Sequence, residues 1–203
     1  MTSDPLSPLD SAKFCRRAYN EATWQTSGGA ELLCIKDDGA LHLGFRGTEG
    51  IKDVARDVRG YPWYSRELGI WCHRGFLIGA MNLINLAWGR ISNEPTDTLI
   101  HLYGHSKGGG EAEPAAVKLC QQGRPPASIT TFNKPRALFA GGCEILARNK
   151  VEARRYVVGW DHVSNMPWSL WGFRHYGEEI HLDGFNNPAT DHVIATCIGA
   201  LEG

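Results

Sequence analysis

The run from Thr98 to Asn133 constrains the fold more than any other part of the chain. "TLIHLY" has the character of a strand and meets a glycine-rich turn directly. "KGGGEAEPAAVKLCQQ" then has the character of a helix, and "SITTFN" that of a second strand. Strand, turn, helix and strand in that order form a βαβ unit. Its crossover joins parallel strands and lays the helix on a face of the sheet. The rest of the chain keeps the alternation. Apolar residues recur at helical spacing from Leu9 to Tyr19 and, more densely, from Gly75 to Ile91. Two β-rich runs flank Asp38-Gly39 in "AELLCIKDDGALHLGFRG", a dipeptide suited to a hairpin because both residues tolerate positive φ. Downstream, a helix is expected around Cys143 to Arg148, strands at Arg155 to Val158 and Glu179 to Leu182, and a last helix from Thr190 to Leu201. The expected class is α/β: a mostly parallel central sheet flanked by helices, in a single domain over residues 1–203. Pro114 departs from this pattern, since a proline inside a helix removes a hydrogen bond and kinks or shortens it.

Charge and composition narrow the function. With 42% hydrophobic and 21% charged residues the chain has enough apolar material for a sizeable core. Its 21 Lys+Arg balance 22 Asp+Glu to a net charge of -1, so no overall field draws it to nucleic acid or to an anionic membrane. A small or neutral molecule is the expected partner. The first residues lack a basic segment followed by an apolar run, and no stretch is long and apolar enough to span a bilayer. The expectation is a protein that stays in the cytoplasm or leaves by a route without a signal. Six cysteines stand singly, several within apolar periodic segments, and read as free thiols rather than disulfides. No C-x-x-C, H-E-x-x-H or acidic calcium loop is present, so neither a metal nor another cofactor is expected.

The turn between the first strand and the helix is Gly104-His105-Ser106-Lys107-Gly108, a G-x-S-x-G pattern. That pattern marks the nucleophile elbow of α/β-hydrolase sheets. A serine hydroxyl is a weak nucleophile near neutral pH, so Ser106 needs a base within hydrogen-bond reach and an acid to orient that base. In this arrangement the acid follows the serine in the chain and the histidine comes last. "RRYVVGWDHV" delivers Asp161 just beyond a β-branched strand. Four histidines follow Asp161. His162 is too close to it in sequence to face it easily, and His181 lies inside a predicted strand. His175 in "GFRHYGEE" is the second choice. His192, after the Pro-containing loop in "NNPATDHVIATCI", is the preferred base. His105 beside the serine reads as a packed elbow residue, His73 as a loop anchor, and Arg46 as a strand-end residue pairing with Asp53 or Asp57.

Together, "LGFRGTEGIKDVARDV", "CHRGF", "YGHSKGGGEA", "FNKPRA", "VVGWDHVSNMPW", "GFRHYGEE" and "DHVIATCI" resemble the class 3 (fungal-type) lipase family of α/β-hydrolases over about Ala30 to Ile198. The resemblance implies hydrolysis of carboxylic esters through an acyl-serine, without a cofactor. It implies Ser106 as nucleophile, Asp161 as triad acid and His192 as base. Thr48, which follows Phe-Arg-Gly, and the main chain of Lys107 would form the oxyanion hole. It also implies that the stretch after Thr48 acts as a lid at a lipid surface. Ile51, Val54, Ala55 and Val58 give that stretch an amphipathic face, and an ordinary core helix explains them equally well. Lys107 departs from the apolar residue that relatives carry there, and is expected to meet Glu111. Trp160, Met166, Trp168, Leu170 and Trp171 read either as plain core or as the wall of an acyl pocket. A thioesterase, an amidase and a catalytically silent binding protein remain alternatives, because one triad serves any acyl group and a fold alone does not fix activity.

Overall fold

Residues 100–105, "IHLYGH", show how the molecule is layered. The computed structural model describes residues 5–48 and 61–203. In it, this segment forms the central strand, and Ile100 and Leu102 enter one buried cluster while Tyr103 enters the other. Alternate side chains of a strand point to opposite faces, so a strand buried on both faces needs apolar residues at nearly every position.

The elements in chain order are α1 (Pro8–Arg17), β1 (Trp24–Gln25), β2 (Glu31–Asp37), β3 (Ala40–Phe45), β4 (Pro62–Ser65), β5 (Ile70–His73) and α2 (Arg74–Ser92). Then come β6 (Ile100–His105), α3 (Lys107–Gln121), β7 (Ser128–Phe132), α4 (Ala140–Arg148), β8 (Glu152–Val158), β9 (Glu178–Leu182), α5 (Pro188–Asp191) and α6 (Ile194–Glu202). Seven strands form one sheet in the order β1-β2-β3-β6-β7-β8-β9. It is parallel from β3 through β9, and β1 and β2 extend it antiparallel. The β2–β3 turn is at Asp38-Gly39, with φ of 43° and 78°. This is the expected α/β-hydrolase architecture.

Helices cover both faces. Phe14, Cys15 and Ala18 of or beside α1 and Cys197 and Ile198 of α6 pack with Tyr103, Phe132 and Tyr156 on one face. On the other face, Leu83 and Ile84 of α2 and Ala115, Ala116 and Leu119 of α3 pack against Leu41, Leu43 and Leu102. Each fully buried leucine, isoleucine or phenylalanine contributes about 1.5–3 kcal/mol. All six cysteines are free. Burial pushes the thiols of Cys72 and Cys143 up to about 12, so they behave as small hydrophobes rather than nucleophiles.

The segment after residue 60 is a hairpin, β4 paired with β5. Two local expectations are revised. The last helix is two helices, because Val193 takes an extended ψ of 137° and caps α6 afresh. Pro114 sits inside α3 without ending it; the N–H it lacks would have bonded a carbonyl one turn back, and the tight packing of both α3 faces supports the helix there. The proposed amphipathic face at Ile51 to Val58, with Asp53 and Asp57, lies outside the described residues. Arg46 pairs with Glu31 at 2.6 Å.

Candidate active site

The turn that carries Ser106 is fixed by sterics. Ser106 has φ 55° and ψ −126°, a conformation that costs a non-glycine residue on the order of 1–3 kcal/mol. Its two glycines make the turn possible. A Cβ on Gly104 would stand 2.5 Å from the backbone of Gly108, and a Cβ on Gly108 would collide with the carbonyl oxygen of Phe45. Strand β6 can therefore hand over to α3 with no gap, and the serine projects at the junction. The first helical hydrogen bond runs from Gly110 N–H to the Ser106 carbonyl at 3.2 Å. The Lys107 N–H thus has no acceptor within the helix. The Lys107 side chain pairs with the buried Glu111 at 3.4 Å, one turn along.

Ser106, Asp161 and His192, far apart in sequence, meet at the ends of β6 and β8. The Ser106 hydroxyl donates to His192 Nε2 at 2.7 Å, and His192 Nδ1 donates to Asp161 Oδ1 at 2.8 Å. Ser106 and Asp161 are 0% and 3% exposed, and His192 is 4% exposed. Asp161 also accepts from the Val163 and Ser164 amides, each at 3.2 Å. The carboxylate is therefore aimed at the imidazole by its own turn.

His192 is held by its main chain as well. His105 Nε2 donates to the His192 carbonyl at 2.7 Å, and the Tyr19 hydroxyl donates to His105 Nδ1 at 2.8 Å. A carbonyl only accepts, which fixes the His105 tautomer. Burial first, and then the nearby His192, depress the His105 pKa to about 3, so it stays neutral. It is a packed support residue, as its place beside the serine suggested. His175 lies away from the serine and bonds the Ser164 carbonyl instead. His181 is in β9, and His73 caps α2 by accepting from the Phe76 amide.

Two supporting residues escaped the sequence reading. Asp191, fully buried, accepts from the Trp160, Phe185 and Asn187 amides at 2.7–3.1 Å and ties the loop of His192 to that of Asp161. Burial works to raise its pKa, and these amides outweigh it and hold the carboxyl below the usual range. Asn133, at φ 48°, donates to the Asp191 carbonyl at 2.7 Å and accepts from the Val158 amide at 2.9 Å. The only signal for Asp191 was its place directly before His192.

A cavity of about 320 Å³ opens beside His192, lined by Tyr19, Thr48, Ala189, Val193 and Ile194. Of the residues offered as an acyl wall or as core, Trp160, Trp168, Leu170 and Trp171 are instead exposed, Leu170 at 91%. Met166 alone packs inward, against Phe76, Ala137 and Val163. Among the described residues no three His, Cys, Asp or Glu side chains are grouped as metal ligands.

The sequence profile of Lipase (class 3) matches residues 42–170, more than half of the chain. The chain belongs to the class 3 lipase family. It is similar to a lipase of Rhizomucor miehei, 26% identical over 230 aligned residues that take in 96% of this chain and 60% of the relative. It thus spans about three-fifths of that relative's length. Among solved structures, a lipase of Rhizopus microsporus var. chinensis superposes with a TM-score of 0.72 at 19% identity, covering 90% of this chain and 75% of that one. A triacylglycerol lipase whose catalytic centre is formed by a serine protease triad superposes with a TM-score of 0.71 at 21% identity, covering 86% and 77%. These likenesses confirm the α/β-hydrolase fold of this class 3 lipase family member.

Proposed function

We propose that this protein is a serine carboxylic-ester hydrolase, a lipase or esterase, in which Ser106 is the nucleophile, His192 the base and Asp161 the orienting acid. The observation that carries the reading is the unbroken hydrogen-bond series from the Ser106 hydroxyl through both His192 nitrogens to Asp161. In the relative with a serine protease triad, a triacylglycerol lipase, the same logic serves an ester.

His192 Nε2 takes the hydroxyl proton as Ser106 Oγ attacks the ester carbonyl, and Asp161 stabilises the imidazolium. The N–H groups of Thr48 and Lys107 hold the charge on the carbonyl oxygen, each contributing about 3 kcal/mol of barrier lowering. Collapse returns the proton from His192 to the leaving alcohol and leaves an acyl-serine. Water, deprotonated by the same histidine, releases the acid and restores the hydroxyl. The cavity lined by Tyr19, Val193 and Ile194 suits an apolar acyl or alcohol group. The exposed Trp168, Leu170 and Trp171 suit transient contact with a lipid surface.

Ester turnover should fall by about 10⁴-fold or more in Ser106→Ala while the melting curve is kept, and a fluorophosphonate probe should label wild type only. Full turnover in that variant, or labelling elsewhere, would remove Ser106 from the mechanism. Parallel short-ester, long-ester and thioester assays, above and below the concentration at which the substrate forms micelles, separate lipase from esterase and thioesterase.

A further inference from the structure

The triad leaves a half-buried histidine, His175, and a buried ion pair without a task. Lys134 follows Asn133 in the loop leaving β7 and is 2% exposed. Its ammonium pairs at 2.8 Å with Glu113 of α3, and donates to the Pro135 carbonyl at 3.3 Å and to His175 Nδ1 at 3.1 Å. Burial pulls the lysine pKa down, and the Glu113 carboxylate beside it works to keep the charged form. An ammonium has no lone pair to offer, so His175 Nδ1 must be the acceptor and the imidazole proton must sit on Nε2. That nitrogen donates to the Ser164 carbonyl at 2.8 Å. Ser164 in turn donates its amide to Asp161 Oδ2 at 3.2 Å and its hydroxyl to the Asp161 carbonyl at 2.9 Å. One path, an ion pair from Glu113 to Lys134 and hydrogen bonds from there on, therefore runs through Asp161 and His192 to Ser106.

We infer that His175 is a positioning residue for Asp161, locked in its Nε2–H tautomer by the Lys134–Glu113 pair so that it clamps the turn whose amides aim the carboxylate at His192. The inference rests on the triad reading above. A buried ion pair is weak evidence for stability, since apolar replacements of similar volume often do as well. What apolar side chains cannot do is dictate which ring nitrogen carries a proton. Lys134, Arg155 and Arg136 are the cations that face His175; burial first and then these charges push its pKa down to about 2. It stays neutral wherever an ester hydrolase with a histidine base would work, and the clamp keeps one polarity. A lysine and a glutamate that look out of place in a buried helix and loop thus acquire a purpose.

The test compares His175→Leu, which loses both bonds, with His175→Gln, whose amide oxygen accepts from Lys134 and whose NH₂ donates to Ser164. On a short soluble ester, His175→Leu should lower kcat about 10- to 100-fold with KM changed less than about twofold, while His175→Gln keeps kcat within about threefold. A folded His175→Leu with wild-type kcat, or equal losses in the two variants, overturns the inference. Should His175→Leu not fold, ¹⁵N NMR of the wild type decides. His175 should show a fixed Nε2–H tautomer from about pH 5 to about pH 8, and the opposite tautomer or a protonated ring overturns it. A wild type that turns over no ester refutes the hydrolase reading, and the NMR result separates that failure from this one.

Discussion

The elbow at Ser106 and the rim that carries Asp161 and His192 reach the same precision by opposite means. The elbow is a matter of volume: Gly104 and Gly108 sit where any side chain would strike backbone. The rim is a matter of bonds: Asp191 and Asn133 join segments 25–58 residues apart in the chain by hydrogen bonds of 2.7–3.0 Å, and the Ser164 turn holds Asp161 by amides at 3.2 Å. Packed backbone has few alternative arrangements. A hydrogen-bonded loop can lose one bond and keep the others, so it opens in steps.

Breaking the elbow should therefore have the larger effect. Gly108→Ala puts a methyl group into the Phe45 carbonyl, and neither β3 nor β6 can retreat from the middle of a sheet. We expect a loss of about 3 kcal/mol or more in urea unfolding, or insoluble protein, together with loss of ester turnover. A variant that melts with the wild type would show that the turn has slack. Breaking the rim should act more gently on the fold. Asp191→Asn keeps the shape and weakens three charge-assisted bonds, for about 2 kcal/mol in unfolding. Its clearer signature is kcat, which should drop about tenfold as the His192 loop drifts from the Asp161 loop. Unchanged kcat would mean that the two loops keep their places without this tie.

The same contrast decides what was legible in the sequence. Volume leaves a local trace: Gly-His-Ser-Lys-Gly between a strand and a helix shows the elbow, and "TLIHLY" running straight into it shows the strand. Asp161 was legible because it lies where a β-branched strand ends, and His192 because it follows a Pro-containing loop near the end of the chain. The ties were not legible. Asp191 acts through two carboxylate oxygens that receive amides from three loop positions, and no spacing announces that. His175 drew attention as a second-choice base, but its bonds to Lys134 and Ser164 depend on how two loops fold together. The tryptophans after Asp161 misled in the other direction. Aromatic residues in a cluster suggested core or pocket, whereas the turn through Ser169–Trp171 presents Trp168 and Trp171 outward.

A smaller effect sharpens the comparison through acid. One neutral histidine supports each region, His105 behind the elbow and His175 under the rim, with pKa values pushed down to about 3 and about 2. The unfolded chain protonates each near the ordinary value of about 6.5 while the folded chain does not. Between these limits the unfolded state binds more protons, so stability declines as pH falls from about 6.5 toward about 3, by about 1.4 kcal/mol per pH unit for each such histidine. His175→Gln removes one of the two, and its unfolding free energy should fall less steeply between about pH 6 and about pH 4 by that amount. A slope equal to that of the wild type would mean that His175 takes up its proton without global unfolding. The rim would then open while the elbow stays closed, and the two regions would differ in stability as well as in how they are built.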